Sequence, residues 1–80
     1  MRYYLDGVGQ VFRVIRVDDQ GLHRYELLEG TEWIGGEGFK MSNEAFEKYE
    51  YRELSNFNTL TRVLELSKSE VIKMKLRGEL

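Results

Sequence analysis

Residues 10–28, QVFRVIRVDDQGLHRYELL, decide the fold. Gln10 to Val17 is rich in β-branched and apolar residues, and Leu22 to Leu28 supplies a matching return strand. Asp18-Asp19-Gln20-Gly21 lies between them, with aspartates that favour a type I turn and a glycine that can take positive φ. The stretch therefore predicts an antiparallel hairpin. Side chains alternate along a strand, so His23, Tyr25 and Leu27 share one face while Leu22, Arg24, Glu26 and Leu28 share the other. A lone hairpin is marginal in water, so the rest of the chain must give it an apolar partner.

Upstream, Arg2 to Asp6 reads as a short strand with Tyr3 and Leu5 opposite Arg2 and Tyr4, and Gly7-Val8-Gly9 lets the chain reverse into the hairpin. Downstream, Glu29-Gly30 is a second turn signal and Thr31 to Ile34 a further return strand. The chain holds no proline, so every backbone N–H beyond the first residue can join a ladder. These segments make a meander of short strands over residues 2–34. Trp33, the largest apolar body in the chain, is expected to cap the sheet, along with Phe12 and Phe46 in the core. Gly35-Gly36-Glu37-Gly38 is a loop that superficially resembles a phosphate cradle. No Gly-Lys-Ser/Thr follows, and Glu37 would repel phosphate, so it reads as a connector.

Phe39-Lys40-Met41 leads into a helix over 43–49. Ser42 supplies the N-cap, Glu44 suits the positive helix end, and Met41 and Phe46 hold the positions of a hydrophobic staple. Residues 49–54, YEYREL, fit either a helix continuation or an alternating strand, and Ser55 to Asn58 reads as a loop. Ser67-Lys68-Ser69-Glu70 has the spacing of a capping box, flanked by Leu66 and Val71, with Lys75 and Arg77 in the last turn and Gly78 as the stop. A helix over 68–77 is the preferred reading. Ile72 to Arg77 also alternates as a strand would, and that alternative stands.

Eighty residues make one domain, divided here into a β-meander over 1–38 and a mainly helical part over 39–80. The class expected is α+β: a small antiparallel sheet followed by two or three short helices. The composition, 41% hydrophobic and 32% charged, suits an ordered domain rather than a disordered tail. With no cysteine, disulfide support and thiolate chemistry are excluded. Met1 to Asp6 meets charge before an apolar run develops, so no secretory leader is expected, and no window approaches the ~20 apolar residues of a membrane span. A cytoplasmic protein is the expectation. The net charge of -2 is unevenly spread: residues 1–56 carry seven Lys/Arg against eleven Asp/Glu, and residues 57–80 carry five against three. An anionic partner would therefore meet the C-terminal third.

Catalysis finds little support. His23 is the only histidine, expected half-buried or on the surface, and no spacing recommends a triad around it. Asp18 and Asp19 are adjacent in a turn, where exposure gives little reason for a shifted pKa, and a dedicated cation site would need more oxygen ligands. No enzyme, cofactor or metal is expected. The aromatics are interaction candidates instead, with Tyr3, Tyr4, Tyr49 and Tyr51 beside Arg2, Arg24 and Arg52 in an interface-like composition.

Leu60 to Met74 resembles the helix-turn-helix of bacterial and phage repressors. Leu60 and Leu64 match the packing positions of the first helix, Leu66 the apolar turn residue, Ser67 the cap, and Val71 and Met74 the packing positions of the second helix. Glu65 and Thr61 depart from the usual Gly and Ala. The resemblance implies that Ser67, Lys68, Ser69, Ile72, Lys73 and Leu76 would face DNA. Ile72 and Leu76 cannot hydrogen-bond bases, so the same positions suit a protein contact, or a core in which no helix-turn-helix exists. In size and texture the chain also resembles small accessory proteins of bacteriophages and prophages. Its G-x-V-F-R-V strand (Gly9 to Val14) and Gly-Thr-x-Trp return (Gly30 to Trp33) carry the likeness. This implies a regulator or inhibitor that binds a larger host or defence complex. The expected partner-binding residues are Tyr49, Tyr51, Lys68, Ile72, Lys73 and Leu76. A protein partner is expected first, DNA is the alternative, a homo-oligomer is a third reading, and no membrane contact is expected.

Overall fold

The computed structural model describes residues 1–78, apart from the side chain of Lys68. The strands are β1 (Arg2–Leu5), β2 (Val11–Val17), β3 (His23–Glu29), β4 (Glu32–Ile34), β5 (Lys40–Met41) and β6 (Arg52–Glu53). Helix α1 (Asn43–Tyr49) precedes β6, and α2 (Phe57–Glu65) and α3 (Lys68–Leu76) follow it. All pairings are antiparallel, in the order β4-β3-β2-β1-β6, with β5 also pairing with β3. The fold is α+β, as the alternating N-terminal half predicts.

Two hairpin turns share one construction. In Asp6-Gly7-Val8-Gly9-Gln10, the Asp6 carboxylate Oδ1 accepts from the amides of Val8 (3.0 Å) and Gln10 (2.8 Å), while Asp6 N–H donates to the Gln10 carbonyl. In Asp18-Asp19-Gln20-Gly21-Leu22, Asp18 Oδ1 accepts from Gln20 (2.9 Å) and Leu22 (3.0 Å), and Asp18 N–H donates to the Leu22 carbonyl. Both place glycine fourth, at φ 80° and 79°, where a Cβ would be strained. The motif D-x-x-G, present twice, thus fixes the register of β1–β2–β3. Between Val14 and Arg16 the β2–β3 register shifts, leaving Ile15 as a bulge.

The sheet extends further along the chain than residues 2–34. Lys40 and Met41 do not simply lead into α1. They pair with Arg24 and His23, and the Tyr25 amide donates to the Phe39 carbonyl at 3.1 Å, so the glycine loop arches out from the edge of β3 between β4 and β5. Residues 49–54 are split between the two forms they could take: Glu50 closes α1 in the left-handed conformation (φ 47°), and Arg52–Glu53 then pairs with Leu5 and Tyr4. Ser55 to Asn58 is not a plain loop. Asn56 caps α2, its Oδ1 accepting from the amides of Asn58 (2.9 Å) and Thr59 (3.3 Å). Residues 68–76 are helical, so the capping signals outweigh the strand-like alternation of Ile72 to Arg77.

Consecutive strand residues feed opposite faces. On one face Leu5, Val11, Leu54, Val63 and Val71 form the buried cluster, joined by Tyr3, Leu28, Trp33, Leu60 and Leu66. This cluster joins β1, β2 and the residue after β6 to α2 and α3. On the other face Tyr4 stacks with Phe12 at 5.4 Å and meets Phe46 of α1 edge-on at 5.1 Å, while Phe12 also meets Tyr25 and Tyr51 edge-on. His23 is buried at 8% exposure, against the expectation of a half-buried or surface residue. The reason is α1, which lays Phe46 parallel to the imidazole at 4.3 Å. Trp33 is half-buried rather than enclosed, beside Tyr3 and under the Arg13 guanidinium at 4.1 Å.

Candidate functional site

The surface of interest is the outer side of the α2–α3 pair. Two residues, Leu66 and Ser67, link the helices, and Ser67 Oγ accepts from the Glu70 amide at 3.4 Å. The capping box is only half formed. The Glu70 carboxylate accepts from the Ser67 hydroxyl at 3.1 Å. Val63 of α2 and Val71 and Met74 of α3 are buried, which orients both helices on the sheet. Leu60 packs partly buried against the core, the buried residue of α2 is Val63, and Leu64 is exposed.

Leu76 stands 81% exposed at the end of α3 and Phe57 78% exposed at the start of α2. Lys73 is exposed and Ile72 half-buried, so the α3 residues named from sequence are divided: Leu76 and Lys73 are available, and Ile72 is in part a packing residue. The Lys68 side chain lies outside the described structure. Tyr49 and Tyr51 do not join this surface. Tyr51 packs edge-on against Phe12 at 4.8 Å and lies 5.8 Å from Tyr49, on the aromatic face, with the sheet between them and the helix pair. The six expected contact residues therefore belong to two separate places.

Arg62, Leu66, Glu70, Met74 and Arg77, which the sequence does not single out as contacts, join Lys73 on the helical surface. A groove of about 200 Å³ runs between the helices, lined by Arg62, Leu66, Glu70, Lys73, Met74 and Arg77. Their spacings of three and four along each helix carry the signal, once both helices are known. Elsewhere, a second groove of about 330 Å³ lies by β6, between Met1, Tyr3, Leu54, Phe57 and Leu60.

The turn at Asp18 corrects another expectation. The Leu22 amide foremost, then the Gln20 amide and the Arg24 and Arg16 guanidinium groups, hold the Asp18 carboxyl below its ordinary pKa, against a contribution from burial that raises it. Arg24 also reaches toward Glu37 in the glycine loop at 3.8 Å. These contacts organise the hairpin end and bring no reactive pair together. Burial, then the neighbouring Tyr49, raises the Tyr51 phenol above its ordinary value. Among the described residues no group of three or more His, Asp or Glu side chains is placed to hold a metal ion, and no helix is long and apolar enough to cross a membrane.

Comparison with protein-family models, curated proteins and solved structures finds no match.

Proposed function

We propose that this is a non-enzymatic binding protein of the small phage or prophage accessory kind, which regulates or inhibits a larger complex through protein contact on α2 and α3. One observation carries the reading: Leu76, a large apolar side chain, is left 81% exposed on a helix whose inward side is already filled by Val71 and Met74. Desolvated apolar and aromatic anchors supply most of the affinity of protein interfaces, and Lys73 beside it offers a charge at the rim. The test is capture from a host lysate on immobilised protein, with Leu76→Asp as the paired control. The expected result is a defined partner retained at high salt and lost with Leu76→Asp while circular dichroism is unchanged. Equal capture by both forms removes this surface from the function.

DNA binding is a second reading. Its support is the two-residue link between α2 and α3, together with five Lys/Arg against two Glu over residues 57–77. It predicts retention on duplex DNA that falls steeply with salt and weakens with Lys73→Ala.

A further inference from the structure

Resting on the protein-contact reading, we propose that the groove between α2 and α3 receives an acidic segment of the partner that carries one apolar anchor side chain. The groove's lining has two layers. Its floor is Met74, buried, and Leu66, half-buried. Its rim is cationic, with Arg62 on α2, Lys73 on α3 and Arg77 at the cap that ends α3. Neither Arg62 nor Lys73 forms a salt bridge among the described residues. The one carboxylate in the lining, Glu70, accepts from the Ser67 hydroxyl and so is drawn toward the helix N-terminus.

Size and charge then specify the occupant. The groove is open to solvent and offers about 200 Å³, room for one side chain of leucine or phenylalanine size to lie over Met74 and Leu66. The rim cations favour carboxylates flanking that side chain. The charge balance of the chain points the same way: residues 1–56 carry eleven Asp/Glu against seven Lys/Arg, whereas residues 57–80 carry five Lys/Arg against three Glu. A DNA duplex satisfies the rim less completely, because its phosphates cannot fill an apolar floor and its base edges offer only the thymine methyl.

The experiment is an NMR titration of the ¹⁵N-labelled protein with a short glutamate-rich peptide bearing one central phenylalanine. A phenylalanine-free peptide of the same charge and a DNA duplex are the comparison ligands. The expected result is shift changes centred on Arg62, Leu66, Lys73 and Met74. Affinity should fall about tenfold without the phenylalanine, and about tenfold with Lys73→Glu or Arg62→Glu, each about 1.4 kcal/mol. The spectrum itself reports whether each variant is folded. Absence of shifts at the groove at millimolar peptide overturns the proposal, as does equal binding of the phenylalanine-free peptide. Tighter binding of the duplex overturns both this proposal and the protein-contact reading. If lysate capture still depends on Leu76 while the peptide leaves the groove untouched, the broader reading survives and the acidic anchor fails.

Discussion

Tyr4 and Leu5 are consecutive, both buried, and point to opposite sides of the same sheet. Tyr4 enters a lattice of rings in which Phe12, Tyr25, Phe46 and Tyr51 meet at tilted or edge-on angles and His23 lies flat on Phe46. Leu5, with no measurable exposure, enters an aliphatic cluster that α2 reaches through Val63 and α3 through Val71. The aromatic side holds a helix of seven residues, none of them buried, by the Phe46 ring and by Tyr49 beside Tyr51. The aliphatic side holds two helices of nine residues each by a few close-packed side chains. Large rings hold a short helix through a few ring contacts. Small branched chains demand close approach and so dictate where the longer helices lie.

The sharpest way to break this contrast is to remove its hubs. Phe12→Ala is expected to cost about 3–5 kcal/mol in urea unfolding, because Phe12 is buried and touches Tyr4, Tyr25 and Tyr51. Leu5→Ala should follow at about 2–5 kcal/mol, and hydrogen exchange should show α2 and α3 losing protection before α1. If both variants loosen all three helices alike, the two faces are one cooperative core. Ser67→Ala comes next, at about 0.5–2 kcal/mol from loss of the α3 cap, with the aromatic face untouched in near-UV dichroism.

Two pH effects are smaller and opposite in sign, one at the Asp18 turn and one on the aromatic face. Asp18 has a lowered folded pKa, so its contribution is complete above the unfolded value of about 3.9 and is lost as pH falls through the folded value. Asp18→Asn should therefore flatten the acid arm of stability below about pH 4. Tyr51 has a raised folded pKa, so its contribution is complete below about pH 10 and is lost as pH rises through the folded value. Tyr51→Phe should flatten the alkaline arm, and an unchanged arm in denaturant titrations at high pH would contradict the burial of that phenol.

Legibility in the sequence followed the range of the interaction. The Asp18 turn, the Ser42 and Ser67 caps and the span of α1 are encoded within a few residues and could be read directly. Strands β5 and β6 are two residues each, too short for any period, and exist because distant β3 and β1 accept them. Asn56 reads as a loop residue in sequence because side chains that break a pattern and side chains that cap a helix are the same types. His23 looked half-exposed because nothing near it in sequence announces Phe46 as its lid. The capped helix leaves Leu76 open to a core or a surface place, and its exposure follows from Val71 and Met74 filling the inward side. Division of the tyrosines from α3 is not legible either, since it depends on which side of the sheet each helix takes.

Strand β6 also carries a consequence for biosynthesis. It closes the outer border of β1 through Glu53 and Arg52, and the Leu54 amide donates to the Tyr3 carbonyl at 2.8 Å. A ribosome adding about 5–20 residues per second delivers those residues on the order of 2–10 s after β1. Until those residues arrive, the outer border of β1 has no partner in its own chain, so translation speed sets how long that edge is open to wrong pairing with neighbouring chains.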